Sequence, residues 1–128
     1  MNRKFTTWVA LSTAALISIA LFPAGVLKII GVKEMISFFD HFGMPIWFMR
    51  FVGVAEVAGT IGLWLTAASF RGWPLRLLAA LGLAILMGGA AGTHLIHDPF
   101  GSAIPAIILL LLSLFLAWNY RGDAKLAP

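Results

Sequence analysis

Apolar residues fill four stretches of the chain. Each is close to the roughly 20 positions an α-helix needs to cross a hydrocarbon layer about 30 Å thick. They run from about Phe5 to Leu27, Ile46 to Ala68, Pro74 to Ile96 and Ala103 to Tyr120. Between the first and second the period changes. Met35, Phe38, Phe39 and Phe42 recur at i, i+3, i+4 and i+7, while Glu34, Ser37 and His41 take the other face. That spacing predicts an amphipathic helix over 33–42, ended by Gly43 and Pro45 and too short to span. It is expected to lie in the outer interface or to cap the bundle. Pro23 falls inside the first stretch, lacks the N–H that would bond one turn back, and should bend the helix. Asn2-Arg3-Lys4 ahead of an apolar run imitates a signal peptide, but the run leads into bulky Leu21-Phe22-Pro23 rather than small cleavage-site residues. A retained first helix is therefore expected. The pattern predicts an all-α fold: an integral membrane four-helix bundle with a short amphipathic helix between the first and second spans, forming a single membrane domain over 1–128.

Composition supports the bilayer as solvent. Hydrophobic residues make up 61% of the 128 and charged residues only 11%, against roughly 45–50% apolar in soluble domains. Mean hydropathy is +0.98. The absence of cysteine excludes disulfides, dithiol redox chemistry and thiolate metal sites within the chain. The net charge of +4 is spread over ends and connections, so it reads as positive flanks on membrane spans rather than a nucleic-acid surface. If four helices cross, Arg3, Lys4, Arg71, Arg76, Arg121 and Lys125 share one side and Lys28 and Lys33 the other. This asymmetry predicts that both termini are cytoplasmic. Trp8, Trp47, Trp73, Trp118 and Tyr120 fall near the span ends, where amphipathic rings anchor.

Against this apolar background one acid stands out. Glu56 lies about ten residues into the second span, some 15 Å deep at about 1.5 Å per residue. A charge there costs about 2.5–3.5 kcal/mol on insertion scales, so it should face the bundle interior and have a partner. The positions three and four away are Val52, Gly53, Gly59 and Thr60. Three of these are small and admit a second helix. The opposite face, Val54, Ala58, Ile61 and Leu65, suits lipid. Lys28 at the end of the first span and His94 at the end of the third both fall toward the same outer side. Arg50 is a third candidate partner, but six residues from Glu56 it points about 120° away on the same helix. Without a close cation Glu56 would be protonated and would donate a hydrogen bond. Two readings stand side by side: a polar clamp that fixes helix register, and the floor of an outward-opening pocket for a quinone, a lipid or a small ligand.

Gly88 and Gly92 make a G-x-x-x-G spacing that lets helices pack backbone to backbone, with another helix or a second copy. His94-x-x-His97-Asp98 has a metal-ligand spacing, but His97-Asp98-Pro99 starts a turn and no second cluster accompanies it. No metal site is expected, and His97 and Asp98 read as solvated loop residues. No nucleophile elbow, P-loop or zinc-protease motif occurs. The fourth span carries no ionisable group and reads as an outer wall.

The segments FPAGVLKIIG, FFDHFGMPIW, GVAEVAGTIGLWL and LAALGLAILMGGAAGTHL follow in that order. Together they resemble the DoxX-like family of small bacterial membrane proteins over nearly the whole chain. Each motif is glycine and aliphatics around one polar residue; order and spacing make the match specific. The resemblance implies a four-helix membrane bundle in the bacterial inner membrane. It also implies that the family's lysine, glutamate and histidine correspond to Lys28, Glu56 and His94. DoxX relatives are linked to quinone-dependent thiosulfate oxidation and to membrane complexes that handle oxidative stress. Distant animal relatives resemble assembly chaperones for receptor channels. Without cysteine, sulfur chemistry by this chain alone is disfavoured. The expectation is a small subunit of a membrane redox complex, a quinone-linked oxidoreductase among them, and not an enzyme on its own. Lys28, Glu56 and His94 would line a pocket for a quinone-like or lipid ligand, and Gly53, Gly59, Gly88 and Gly92 would pack helices. The alternative is a non-catalytic assembly factor or scaffold binding other transmembrane helices.

Overall fold

Asn2 opens the first helix by accepting a hydrogen bond from the Lys4 N–H through its side chain. Gly31 closes it in a left-handed conformation at φ +82°. Between them α1 (Arg3–Ile30) runs unbroken through Pro23. It outlasts the expected end at Leu27, so Lys28 falls in its last turn, where a cation complements the helix dipole. The computed structural model describes residues 2–66 and 71–126, and no strand occurs among them. The remaining elements are α2 (Lys33–His41), α3 (Ile46–Gly62), α4 (Leu75–His97) and α5 (Ile104–Asn119). Short 3₁₀ turns follow α4 and α5 at Phe100–Ala103 and Arg121–Leu126.

The amphipathic segment forms as its period predicts. Gly43, at φ +72°, and Pro45 then turn the chain, so that α2 and α3 meet at a 113° bend. α3 is shorter than the expected stretch: it ends at Gly62, a turn covers Leu63 and Trp64, and residues 67 and 68 lie outside those described. Three helices, α1, α4 and the Phe100–Asn119 segment containing α5, are long and apolar enough to cross a membrane; α2 and α3 pass the same test only together. α3 alone has 17 residues, at the lower bound for a span.

α1 packs on α3, α3 on α4, and α4 on α5. Ala10, Ala14 and Ile17 of α1 meet Ala80, Leu83 and Met87 of α4 and Leu116 of α5 in one buried cluster. The small residues among them let helices approach closely. α5 turns Ser113, Leu116 and Ala117 inward and Ile108, Leu111, Leu114 and Trp118 outward, as a wall helix does. Trp8, Trp47, Trp73 and Trp118 are exposed. Tyr120 departs from the anchor pattern. It is buried, with the Arg76 guanidinium 4.2 Å above its ring. Arg76 also grips Asp123 through Nε (2.6 Å) and Nη2 (3.0 Å), which ties the start of α4 to the turn after α5.

The glycines divide into two groups. A Cβ on Gly53 would stand 2.7 Å from the Gly25 carbonyl oxygen, and one on Gly25 2.9 Å from the Gly53 carbonyl oxygen. α1 and α3 therefore touch backbone to backbone there. A Cβ on Gly59 would fall 2.6 Å from Leu83. Gly88 and Gly92 are different: nothing lies within 4 Å of where their Cβ would be. Among the described residues no helix packs on the G-x-x-x-G face of α4, so the expected contact with another helix or a second copy is not made there.

Candidate functional site

The Gly25–Gly53 contact positions the polar pair. A Cβ on Gly53 would lie 2.8 Å from the Lys28 Cβ, and one on Gly25 3.1 Å from the Glu56 Cβ. Each charged residue thus sits level with the other helix's glycine, and the lysine stem reaches along one turn to the acid. Lys28 Nζ is 3.1 Å from both Glu56 oxygens. The glutamate side chain is 3% exposed and the lysine 13%. A desolvated carboxylate needs such a cation in place, so the condition for a lone, neutral acid does not hold. Gly53 and Thr60 are buried beside Glu56, while Val54, Ala58 and Ile61 are exposed, as the helical rotation predicts. Arg50 is not the partner. Its guanidinium sits by Gly31, where a Cβ would be 3.3 Å from Nη2, against the carbonyl end of α1.

Beside the pair lies a cavity of about 550 Å³, walled by residues of all five helices. Lys28, Glu56 and His94 all line it. Met35, Phe38 and Phe39 of α2 and Phe42, which caps it, form its cover, so the apolar face read from the sequence is turned onto the cavity. The lining is otherwise almost wholly apolar. An apolar chamber of a few hundred Å³ with a few placed polar groups is the usual form of a small-molecule site.

The structure brings Lys28, Glu56 and His94 to one cavity, but His94 does not bond the acid. Its Nδ1 lies 2.9 Å from Asp98 Oδ2. The other oxygen of Asp98 is 2.9 Å from His41 Nε2 at the end of α2. Asp98, expected to be a solvated loop residue, is thus a junction between α2 and α4. The hydrogen bond from His41, and then that from His94, holds its carboxyl below the usual carboxylate range. Half of this junction has a sequence signal, the i,i+4 spacing of His94 and Asp98; the contact with His41 spans 57 positions and has none. Gly25 carries no local signal either, beyond being a small residue near Lys28. His97 is exposed and turns Nδ1 to the Thr93 carbonyl at 3.0 Å. Phe42 sets its ring edge-on to His94 and His97, with centroids 5.2 and 5.5 Å away. Among the described residues no group of three or more His, Asp or Glu could hold a metal ion.

Residues 12–116 match the family described as DoxX-like. The chain is also similar to an uncharacterised protein, YdgD, of Bacillus subtilis (strain 168). That relative is 28% identical over 108 residues, which cover 78% of this chain and 89% of its own length. No solved structure matches the chain.

Proposed function

The chain belongs to the DoxX-like family, and from that premise we propose that it is a small subunit of a membrane redox complex whose cavity takes a quinone-like or lipid ligand. One observation carries this reading: an apolar cavity of about 550 Å³ that includes a buried Lys28–Glu56 ion pair and the His94 imidazole in its lining. Of the three ammonium hydrogens of Lys28, one is donated to Glu56 Oε2 at 3.1 Å, and Oε1 lies at the same distance in the ion pair. Even with both oxygens served, one hydrogen is left for a ligand carbonyl. Glu56 neutralises the charge of Lys28, which suits an uncharged polar head, and the apolar walls suit an isoprenoid or acyl tail. His94 adds an imidazole that orients the head. On this reading the protein sits in the bacterial inner membrane with α2 on the outer side.

The test is purification from native membranes followed by lipid and quinone extraction. The expected result is a quinone or lipid retained in stoichiometric amount by the parent and lost in Glu56→Gln. An empty parent, or Glu56→Gln with unchanged content and stability, counts against the proposal. A second reading, a scaffold for other transmembrane helices, is favoured by the open space over Gly88 and Gly92. Crosslinking from that face of α4 beside extraction of bound lipid and quinone separates the two: a protein captured by a chain empty of ligand favours the scaffold, and a small molecule held in the cavity favours the pocket.

A further inference from the structure

The helix that covers the cavity is lightly held. No residue of α2 is buried. Glycines in left-handed conformations flank it, Gly31 at φ +82° and Gly43 at φ +72°, and such positions absorb backbone rotation that other residues resist. The tie at its far end is polar. His41 Nε2 meets Asp98 Oδ1, and the same carboxylate's other oxygen meets His94 Nδ1, both at 2.9 Å. A carboxylate only accepts, so both facing nitrogens carry hydrogen. Neutral His94 is then the Nδ1–H tautomer, with a lone pair on Nε2 that no described residue bonds. His41 is 55% exposed, so water competes for its bond at little cost, and this tie can open without disturbing the buried core.

We propose that Asp98 is the positioning residue of the cavity: one oxygen orients the His94 imidazole, and the other latches α2 over the opening. Ligand exchange then proceeds by breaking the His41–Asp98 bond and swinging α2 about Gly31 and Gly43. The orientation of His94 toward a ligand rests on the reading of the cavity as a binding site; the latch does not.

The cysteine-free chain makes the latch measurable. Val52 lines the cavity, so Val52→Cys in the full chain, in nanodiscs, gives a single thiol beneath α2. Its labelling by a polar maleimide reports opening. His41→Ala and Asp98→Ala are each expected to speed labelling roughly fivefold, as loss of the hydrogen bond between α2 and Asp98 predicts. His41→Gln, whose amide still donates to Asp98, should return the rate to that of the parent. Unchanged thermal melting of His41→Ala would show that the fold is intact. Nitrogen NMR of the His94 ring should show the Nδ1–H tautomer in the parent and its loss in Asp98→Ala, which has no acceptor. Labelling of His41→Ala at the parent rate, or equally fast labelling of His41→Ala and His41→Gln, overturns the latch; an unchanged His94 tautomer in Asp98→Ala overturns the positioning role. Because labelling and NMR need no ligand, the latch is decided even if the purified protein proves empty of quinone and lipid.

Discussion

Lys28 and Glu56 matter most to each other. A buried charge stripped of its partner is far costlier than a pair removed together. Lys28→Met, which leaves Glu56 without its cation, should destabilise the protein by about 3 kcal/mol. Glu56→Gln keeps an acceptor for the ammonium and should cost about half as much. The double variant is expected to recover most of the sum, and a double-mutant cycle on unfolding in detergent would read the coupling; strict additivity would mean the two side chains do not act as a pair. Asp98 makes a pH prediction. The titratable groups acting on it are His41 from α2 and His94 from α4. Its carboxyl titrates lower in the folded protein than the ordinary value of about 3.9. The stability it adds is therefore complete above that value and is lost as pH falls through the lower, folded value. Spin labels at Ser37→Cys and Leu95→Cys should report one α2–α4 distance from neutral pH down to about pH 4 and a broadened distribution only below. Broadening that sets in near neutrality would place the latch elsewhere.

At the scale of elements, glycine identity says little until the neighbour is known. Gly53 and Gly88 are both helical and both stand in small-residue contexts, yet one faces a backbone and the other faces nothing within 4 Å. Gly53→Ala must push α1 and α3 apart, because the new methyl would sit 2.7 Å from the Gly25 carbonyl oxygen; a loss of about 1–3 kcal/mol is expected. Gly88→Ala and Gly92→Ala should be neutral or stabilising by about 0.5–1 kcal/mol, since alanine is the better helix former. Thermal melts of the three variants settle the ranking. A loss at Gly88 or Gly92 comparable with Gly53 would mean that another chain covers α4. The period of the apolar positions was enough to find α1, α2, α4 and α5. It overran α3, because the apolar character continues past Gly62 although the helix does not.

For the whole molecule, the Lys and Arg asymmetry predicts that both termini face the cytoplasm. A fluorescent reporter that matures only in the cytoplasm, fused after Pro128, should glow, and an alkaline phosphatase fused there should be inactive; the opposite pattern would invert the bundle and place α2 inside. Arg76, counted in that asymmetry, is committed to Asp123 and Tyr120. A bidentate arginine pair stacked on a ring exceeds an ordinary surface bridge. Arg76→Ala should accordingly cost about 1–2 kcal/mol, measured by unfolding in detergent, and a cost near zero would show that the turn after α5 is not held by this contact.

Composition and period alone determined the solvent, the helical class, the apolar face of α2 and the need for a partner at Glu56, because each follows from local spacing or from the cost of burying charge. The tertiary structure decided which cation answers that acid, which glycines touch, and that Asp98 joins His41 to His94. Those outcomes depend on how far apart the helices stand and how each is rotated, quantities set by side-chain packing between segments distant in the chain, and no single segment encodes them.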